Sequence, residues 1–246
     1  MRKIWAIAVA LLLENRWMIL LLALWPWAFA GLMYVPQWDL TPDDLRSLLQ
    51  QEYFYGAALT LALAASLYGG ELRERRVAAV LCRAVSRTQY LAALWTAALA
   101  PGLCFAGSLY FSLVIAGRLH PGPGVPGLLA TVLNLVVLEM WTTACGTLFS
   151  LLLPQLLATV AAGASAAVIL AIGEMWPRLE VVSGLGPMVF SVLNAGAGPA
   201  PTDRPGQLPL APFAPLALFS ALLQACVLAL ISQRIFAQKD VLSSGS

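Results

Sequence analysis

The sequence predicts an all-α integral membrane protein: six transmembrane helices, an N-terminal interfacial helix, and a short amphipathic helix on the cytoplasmic side between spans two and three. Three observations carry that prediction. Of 246 residues, 60% are hydrophobic and only 11% charged, where a soluble domain carries about a quarter charged residues. The mean hydropathy is +0.82. The apolar residues also gather into runs of the length that a helix needs to cross hydrocarbon, about 20 residues for a core roughly 30 Å thick. A soluble globule, a disordered chain and a nucleic-acid binder are excluded by this composition, and a net charge of +2 is too small to mark a polyanion partner.

Residues 1–246 read as one transmembrane domain. The first apolar run, Ile4 to Leu13, is too short to cross. Arg2 and Lys3 precede it and Glu14, Asn15 and Arg16 follow, so residues 1–16 suit a helix lying in the cytoplasmic interface plane. The same charged break argues against a signal peptide cleaved after Ala28-Phe29-Ala30. The spans then run from Trp17 to Val35, Tyr53 to Gly70, Leu91 to Gly117, Val125 to Leu153, Gln155 to Gly173 and Pro212 to Ser232. Pro26 and Pro101 fall inside spans, which membrane helices tolerate because neighbours satisfy the freed carbonyls. Residues 174–211 form an outer segment. Its semi-apolar piece, Val181 to Asn194, reads equally well as a re-entrant helix or as a loop resting on the membrane.

Orientation follows from the basic residues. With the N-terminus inside, the inner segments hold ten Lys and Arg residues and the outer ones hold Arg46, Arg118, Arg178 and Arg204. The excess marks the cytoplasmic side. Both termini are expected in the cytosol, and the expected location is a bacterial inner (plasma) membrane.

Several chemistries are missing from the sequence. A GxxxxGK[ST] phosphate loop needs a lysine followed by Ser or Thr, and the two lysines, Lys3 and Lys239, precede Ile and Asp. His120 is the single histidine, so a multi-His metal site and a His-based hydrolase are excluded. Cys82, Cys104, Cys145 and Cys226 contain no CxxC pair and read as neither a disulfide framework nor a metal cluster. Neither a catalytic nor a cofactor-binding residue is expected in this chain.

The connection between spans two and three is the informative segment. In residues 71–88, Val77, Val80, Leu81 and Ala84 recur at i, i+3, i+4 and i+7, one face of a helix, with charges in its first turns. Ser86 followed by Gln89 is a capping-box pattern that would start the third span. Taken alone, five arginines here anchor the loop in the cytosol. As a whole the segment resembles the coupling region of the permeases of type 2 ATP-binding-cassette (ABC-2) transporters. Glu71 and Glu74 match that family's acidic start, Val80-Leu81 its apolar pair, and Ala84-Val85-Ser86-Arg87 its Pro-Val-Ser-Arg step, with Ala84 in place of Pro. Val77-Ala78 replaces the family's Gly-Thr, and its later Lys is missing. The topology and the basic–acidic tail from Gln233 to Asp240 extend the resemblance over the chain.

The resemblance implies a machine of two permease chains, identical or related, driven by two copies of a cytosolic ATPase that holds the ATP and Mg. It implies that residues 71–87 sit in a cleft of that ATPase, with Glu71, Glu74, Arg75, Arg76, Arg83, Ser86 and Arg87 at the contact. This chain would then be the permease of an exporter for a hydrophobic or amphiphilic substrate. A non-transporting assembly subunit, such as a haem-export-like component of cytochrome maturation, shares the topology. An intramembrane enzyme is a weaker rival, because the side-chain clusters it needs are missing.

Two further features lie within the spans. Glu139 falls mid-way along span four, near Thr143 and further from Asn134. A charge there costs on the order of 3 kcal/mol to insert and usually faces a bundle interior or a wet cavity. It reads as a protonated or hydrogen-bonded link between helices, or as a substrate contact. In span five, Ala158, Ala162 and Ala166 form a row of small residues four apart, which lets helix backbones approach closely. That row fits either packing within the chain or a seam between subunits. The resemblance implies the seam.

Overall fold

A computed structural model describes residues 2–33, 51–52, 55–67, 85–119, 128–154, 156–164 and 215–238. Almost all of them are helical, and there is no strand among them. The helices are α1 (Arg2–Glu14) and α2 (Arg16–Met33), α3 (Tyr55–Leu67), α4 (Arg87–Leu119) and α5 (Leu128–Leu152), α6 (156–164) and α7 (Pro215–Gln238). Among the described residues, three helical stretches are long and apolar enough to cross a membrane: Arg87–Ile115, Val132–Leu152 and Ala221–Gln238. The bent pair α1–α2 makes a fourth if it is counted as one span. The described part of the expected second span is the 13-residue apolar helix α3, and that of the expected fifth is α6. The outer segment 174–211 and most of the 71–88 segment lie outside the described residues.

The charged break at Glu14-Asn15-Arg16 is a sharp corner. α1 and α2 meet there at 75°. Asn15 serves both helices: its Nδ2 donates to the Leu11 carbonyl at 2.9 Å, and its own carbonyl accepts from the N–H of Met18 at 3.0 Å. α2 then continues through Ala28-Phe29-Ala30 to Met33. One face of α1 packs Ala8 and Leu11, with Ile4, Ile7 and Leu12, against the start of α4. Its other face leaves Trp5, Val9 and Leu13 exposed. A helix that is apolar on both its docked and its outward side suits a lipid interface.

α4 begins with the capping box that its sequence encodes. The Ser86 N–H donates to Gln89 Oε1 at 3.3 Å, and the Gln89 N–H donates to Ser86 Oγ at 3.2 Å. At 33 residues the helix is about 50 Å long at 1.5 Å per residue, longer than the roughly 30 Å hydrocarbon core of a bilayer. Pro101 lies inside it. α5 stops two residues short of Pro154, and the Pro154 carbonyl accepts from the Ala158 N–H at 2.8 Å to start α6.

Three apolar clusters order these helices along the bundle. At one end, Ala8 and Leu11 of α1 meet Leu63 and Leu67 of α3, Tyr90 and Leu94 of α4, Leu151 of α5 and Phe236 of α7. At the other, Leu22 and Phe29 of α2 meet Phe105 and Leu109 of α4 and Leu135 and Leu138 of α5. α3, α4 and α5 therefore alternate in direction, with Ser108 Oγ donating to the Ala23 carbonyl to hold α4 on α2. The third cluster joins α5 to α6 and α7 through Trp141, Cys145, Ala162, Ala221 and Ala225. Large apolar side chains such as Leu24, Phe111, Val160, Phe219 and Leu230 face outward. A surface of that kind is at home in hydrocarbon, not in water.

Candidate functional site

The sequence-derived contact residues meet different fates. Glu71, Glu74, Arg75, Arg76 and Arg83 lie outside the described residues. Ser86 and Arg87 stand where residue 85 leads into α4. Ser86 is the cap described above. The Arg87 guanidinium donates from Nη1 to the Ala237 carbonyl at 2.7 Å, near the last turn of α7. A cation at a helix C-terminus answers carbonyls that have no intrahelical partner. Three residues on, Tyr90 stacks against Phe236 with ring centroids 5.9 Å apart. The end of the 71–87 segment is thus joined to α4 by a cap, and to α7 by an arginine clamp and a ring pair.

Glu139 sits in a seam of three helices. Its side chain is 0% exposed. α3 contributes the row Gly56, Thr60 and Ala64, all buried, α4 contributes Gly102 and Phe105, and α5 contributes Glu139, Thr143 and Gly146. The three glycines mark the close approaches. Gly56 faces the Phe105 ring, and a Cβ on Gly146 would fall 2.8 Å from the Ala64 Cβ and 2.9 Å from the Leu61 carbonyl oxygen. A Cβ on Gly102 would fall 2.6 Å from Glu139 Oε2 and 3.0 Å from Thr60 Oγ1. The carboxyl therefore lies against bare backbone, beside a hydroxyl from the third helix.

Neither carboxyl oxygen of Glu139 has a hydrogen-bond partner, and the hydroxyls of Thr60 and Thr143 have none either. The Thr60 hydroxyl stands beside the carboxyl: both lie within 3.0 Å of where a Gly102 Cβ would be. Thr142 and Thr147 instead donate their hydroxyls to the helix carbonyls of Glu139 and Thr143. Buried polar groups are ordinarily paired, so four atoms without a protein partner in one seam, within about one helical turn, mark this place. Thr143, one turn from Glu139, shares its face. Asn134 is buried but lies five residues before Glu139, about 140° around the helix at 3.6 residues per turn. Of the polar residues that stand out in span four, the structure keeps Glu139 and Thr143 together and turns Asn134 elsewhere.

The sequence alone does not single out Thr60 and Gly102. Their signal is present in the rows Gly56–Thr60–Ala64 and Ala98–Gly102–Ala106, small residues four apart like the row in span five. In that span, Ala158 and Ala162 are fully buried within this chain, and Ala162 packs near Trp141, Cys145 and Ala225. Ala166 lies outside the described residues. The outward face of α6 carries Leu156, Leu157 and Val160.

A second buried carboxyl lies in the connection between α2 and α3. Glu52 is 3% exposed and accepts a hydrogen bond at Oε1 from Trp25 Nε1 at 2.8 Å. Burial pushes its pKa up from 4.5 to about 7, and the Trp25 bond works against that rise. Among the described residues, no group of three His, Cys, Asp or Glu side chains is placed to hold a metal ion.

No known family's profile matches this chain, and no curated protein is similar to it.

Proposed function

We propose that this chain is the permease subunit of an ATP-driven exporter of the ABC-2 kind, with six spans and both termini in the cytosol. It does no covalent chemistry of its own. A separate ATPase, present in two copies, binds ATP and Mg and acts on a pair of permease chains to move a hydrophobic or amphiphilic substrate out of the cell.

The observation that supports this reading most directly is the joint at Ser86 and Arg87. For an external engine to do work across a bilayer, the element it grips must be coupled rigidly to the spans. The capping box fixes the direction in which the chain enters α4. The Arg87–Ala237 bond links that entry to the last turn of α7. A push on residues 71–85 would then reach α4 and α7 together, and α1 through the cluster around Tyr90 and Phe236. A loop that only kept arginines in the cytosol would have no use for such a joint. In this reading Ser86 and Arg87 transmit force, and Glu71, Glu74, Arg75, Arg76 and Arg83 make the docking contact.

The test is co-purification. A tagged chain extracted in mild detergent brings down a cytosolic ATPase. Reversing charge at Arg75→Glu and Arg76→Glu weakens that association and abolishes ATP-dependent efflux, while the thermal midpoint of the chain is unchanged. Normal ATPase binding and efflux in the double variant would reduce the segment to a membrane anchor and end this reading.

A further inference from the structure

We propose that Glu139 is a proton-binding site: one proton on its carboxyl holds the seam of α3, α4 and α5 closed and dry, and release of that proton admits water to the seam. The inference stands on the geometry of the site and is independent of the exporter reading.

The size of the site selects the ligand. Gly102 presses so closely on the carboxyl that not even a methyl group fits between them. On that side, a metal ion, an ammonium group or an amphiphile headgroup would have to force α4 away from α5. A proton needs no room.

The surroundings leave Glu139 without any other compensation. Among the described residues, no ion pair is available from the helices packed on it. α3 carries no ionisable side chain except Tyr55, at its start. α4 brings Tyr90, Cys104 and Tyr110, with Arg87 and Arg118 at its two ends. Those arginines lie 15 and 16 positions from Gly102 in the sequence, about 22–24 Å along the axis. α7 brings Cys226 and, near its end, Arg234; α5 itself adds only Cys145. Glu139 is the sole carboxyl side chain on these four helices.

Two states follow from the hydrogen-bonding capacity of the groups present. A neutral carboxyl is a donor as well as an acceptor, and a small rotation of the Thr60 hydroxyl lets the two share a hydrogen bond. An ionised carboxylate has two oxygens and about four acceptor sites. Thr60 and Thr143 can fill at most two of them, and the rest call for water. Gly102 and Gly146 bring α4 and α3 into close contact with α5 on either side of the carboxyl, and in this proposal the water enters as those helices part. Proton release and hydration of the seam are therefore one event. The proton comes from, and returns to, bulk water through the opened seam.

The full-length chain in lipid nanodiscs tests this in two ways. Infrared difference spectra between acid and alkaline pH should contain the carbonyl stretch of a protonated carboxylic acid that is lost in E139Q and kept in E52Q. If no component of that band were lost in E139Q, Glu139 would not change its protonation between the two conditions, and the proposal would be overturned; the component from Glu52, which is buried too, is the one lost in E52Q. The second test uses T143C in a background with Cys82, Cys104, Cys145 and Cys226 replaced by Ala, and follows its reaction with a water-soluble thiol reagent. The rate with Glu139 present, divided by the rate in E139Q, cancels the thiol's own titration. That ratio should rise about tenfold per pH unit until the carboxyl is fully ionised, the dependence of a single group. A ratio that stays flat with pH would mean that the proton does not control access, and the proposal would fail even if the infrared band behaved as expected.

Discussion

Gly102→Ala makes the seam measurable. The added methyl carbon would lie 2.6 Å from Glu139 Oε2, 2.9 Å from its Cδ and 3.0 Å from Thr60 Oγ1, where ordinary contact begins at 3.4 Å. A carboxyl at the tip of a flexible side chain can usually swing clear of such a clash. This one is fully buried, with the Thr60 hydroxyl also within 3.0 Å of the added carbon, so its shift disturbs the packing of α3, α4 and α5 around it. Overpacking of this kind costs about 1–3 kcal/mol. At about 2–4 °C per kcal/mol for a chain of this size, the thermal midpoint in detergent should fall by several degrees. The cause is then isolated by a cycle with Glu139→Ala, which removes the atoms in the way. If the reasoning holds, G102A should cost little in the E139A background, with a coupling energy of about 1–2 kcal/mol, inside the range seen for residues in contact. E139Q has nearly the same shape as Glu139, so G102A should remain costly beside it. Additive losses within about 0.5 kcal/mol in the E139A cycle would show that Gly102 and Glu139 do not touch, and the picture of the seam would have to be abandoned.

Three other outcomes are expected. Glu52 has its folded pKa raised to about 7 from 4.5, so its contribution to stability is fully present below about 4.5 and is lost as the pH rises through 7; the thermal midpoint should decline over that window in the wild type and less so in E52Q, while Trp25→Phe, which removes the opposing hydrogen bond, should move the decline to higher pH. Arg87→Ala should cost about 1 kcal/mol or less because the bond is exposed, yet it should speed proteolysis after Ala237, and Ser86→Ala should cost about 1 kcal/mol through the lost cap. Ala162→Leu should lower the midpoint by overpacking the cluster around Trp141 and Ala225, by about 1–3 kcal/mol, while Ala164→Leu, on the exposed side of the same helix, should change it by less than about 0.5 kcal/mol.

What could be read from the sequence divides along a physical line. Features fixed by local rules came through. The charged break at residues 14–16 became the 75° corner. Ser86 and Gln89 became a capping box with both of its hydrogen bonds. The apolar runs became helices with Pro26 and Pro101 inside them. These depend on residues a turn or two apart, and the chain states them directly.

Features made by juxtaposition did not come through. Glu139 was visible as an unusual residue, but its partners belong to helices that begin 84 and 52 positions earlier, at Tyr55 and Arg87. Nothing in the local sequence says that Thr60 and Gly102 lie at its level. Arg87 is the sharper case. By its neighbours it is one of a run of arginines suited to an external partner. In the fold its guanidinium is engaged with a carbonyl 150 residues away. That engagement does not remove it from the proposed machine; it changes its part from gripping a partner to carrying the load inward. The Arg87 joint lies at the end of the bundle where α1, α3, α4, α5 and α7 converge, so it is placed to receive a motion. Glu139 lies deeper in the bundle, where α4 presses on α5 through Gly102, and α4 is the helix that starts at the joint. A shift of α4 that lifted Gly102 off the carboxyl would expose Glu139 to water, so movement driven from the joint and proton release in the seam would favour the same rearrangement.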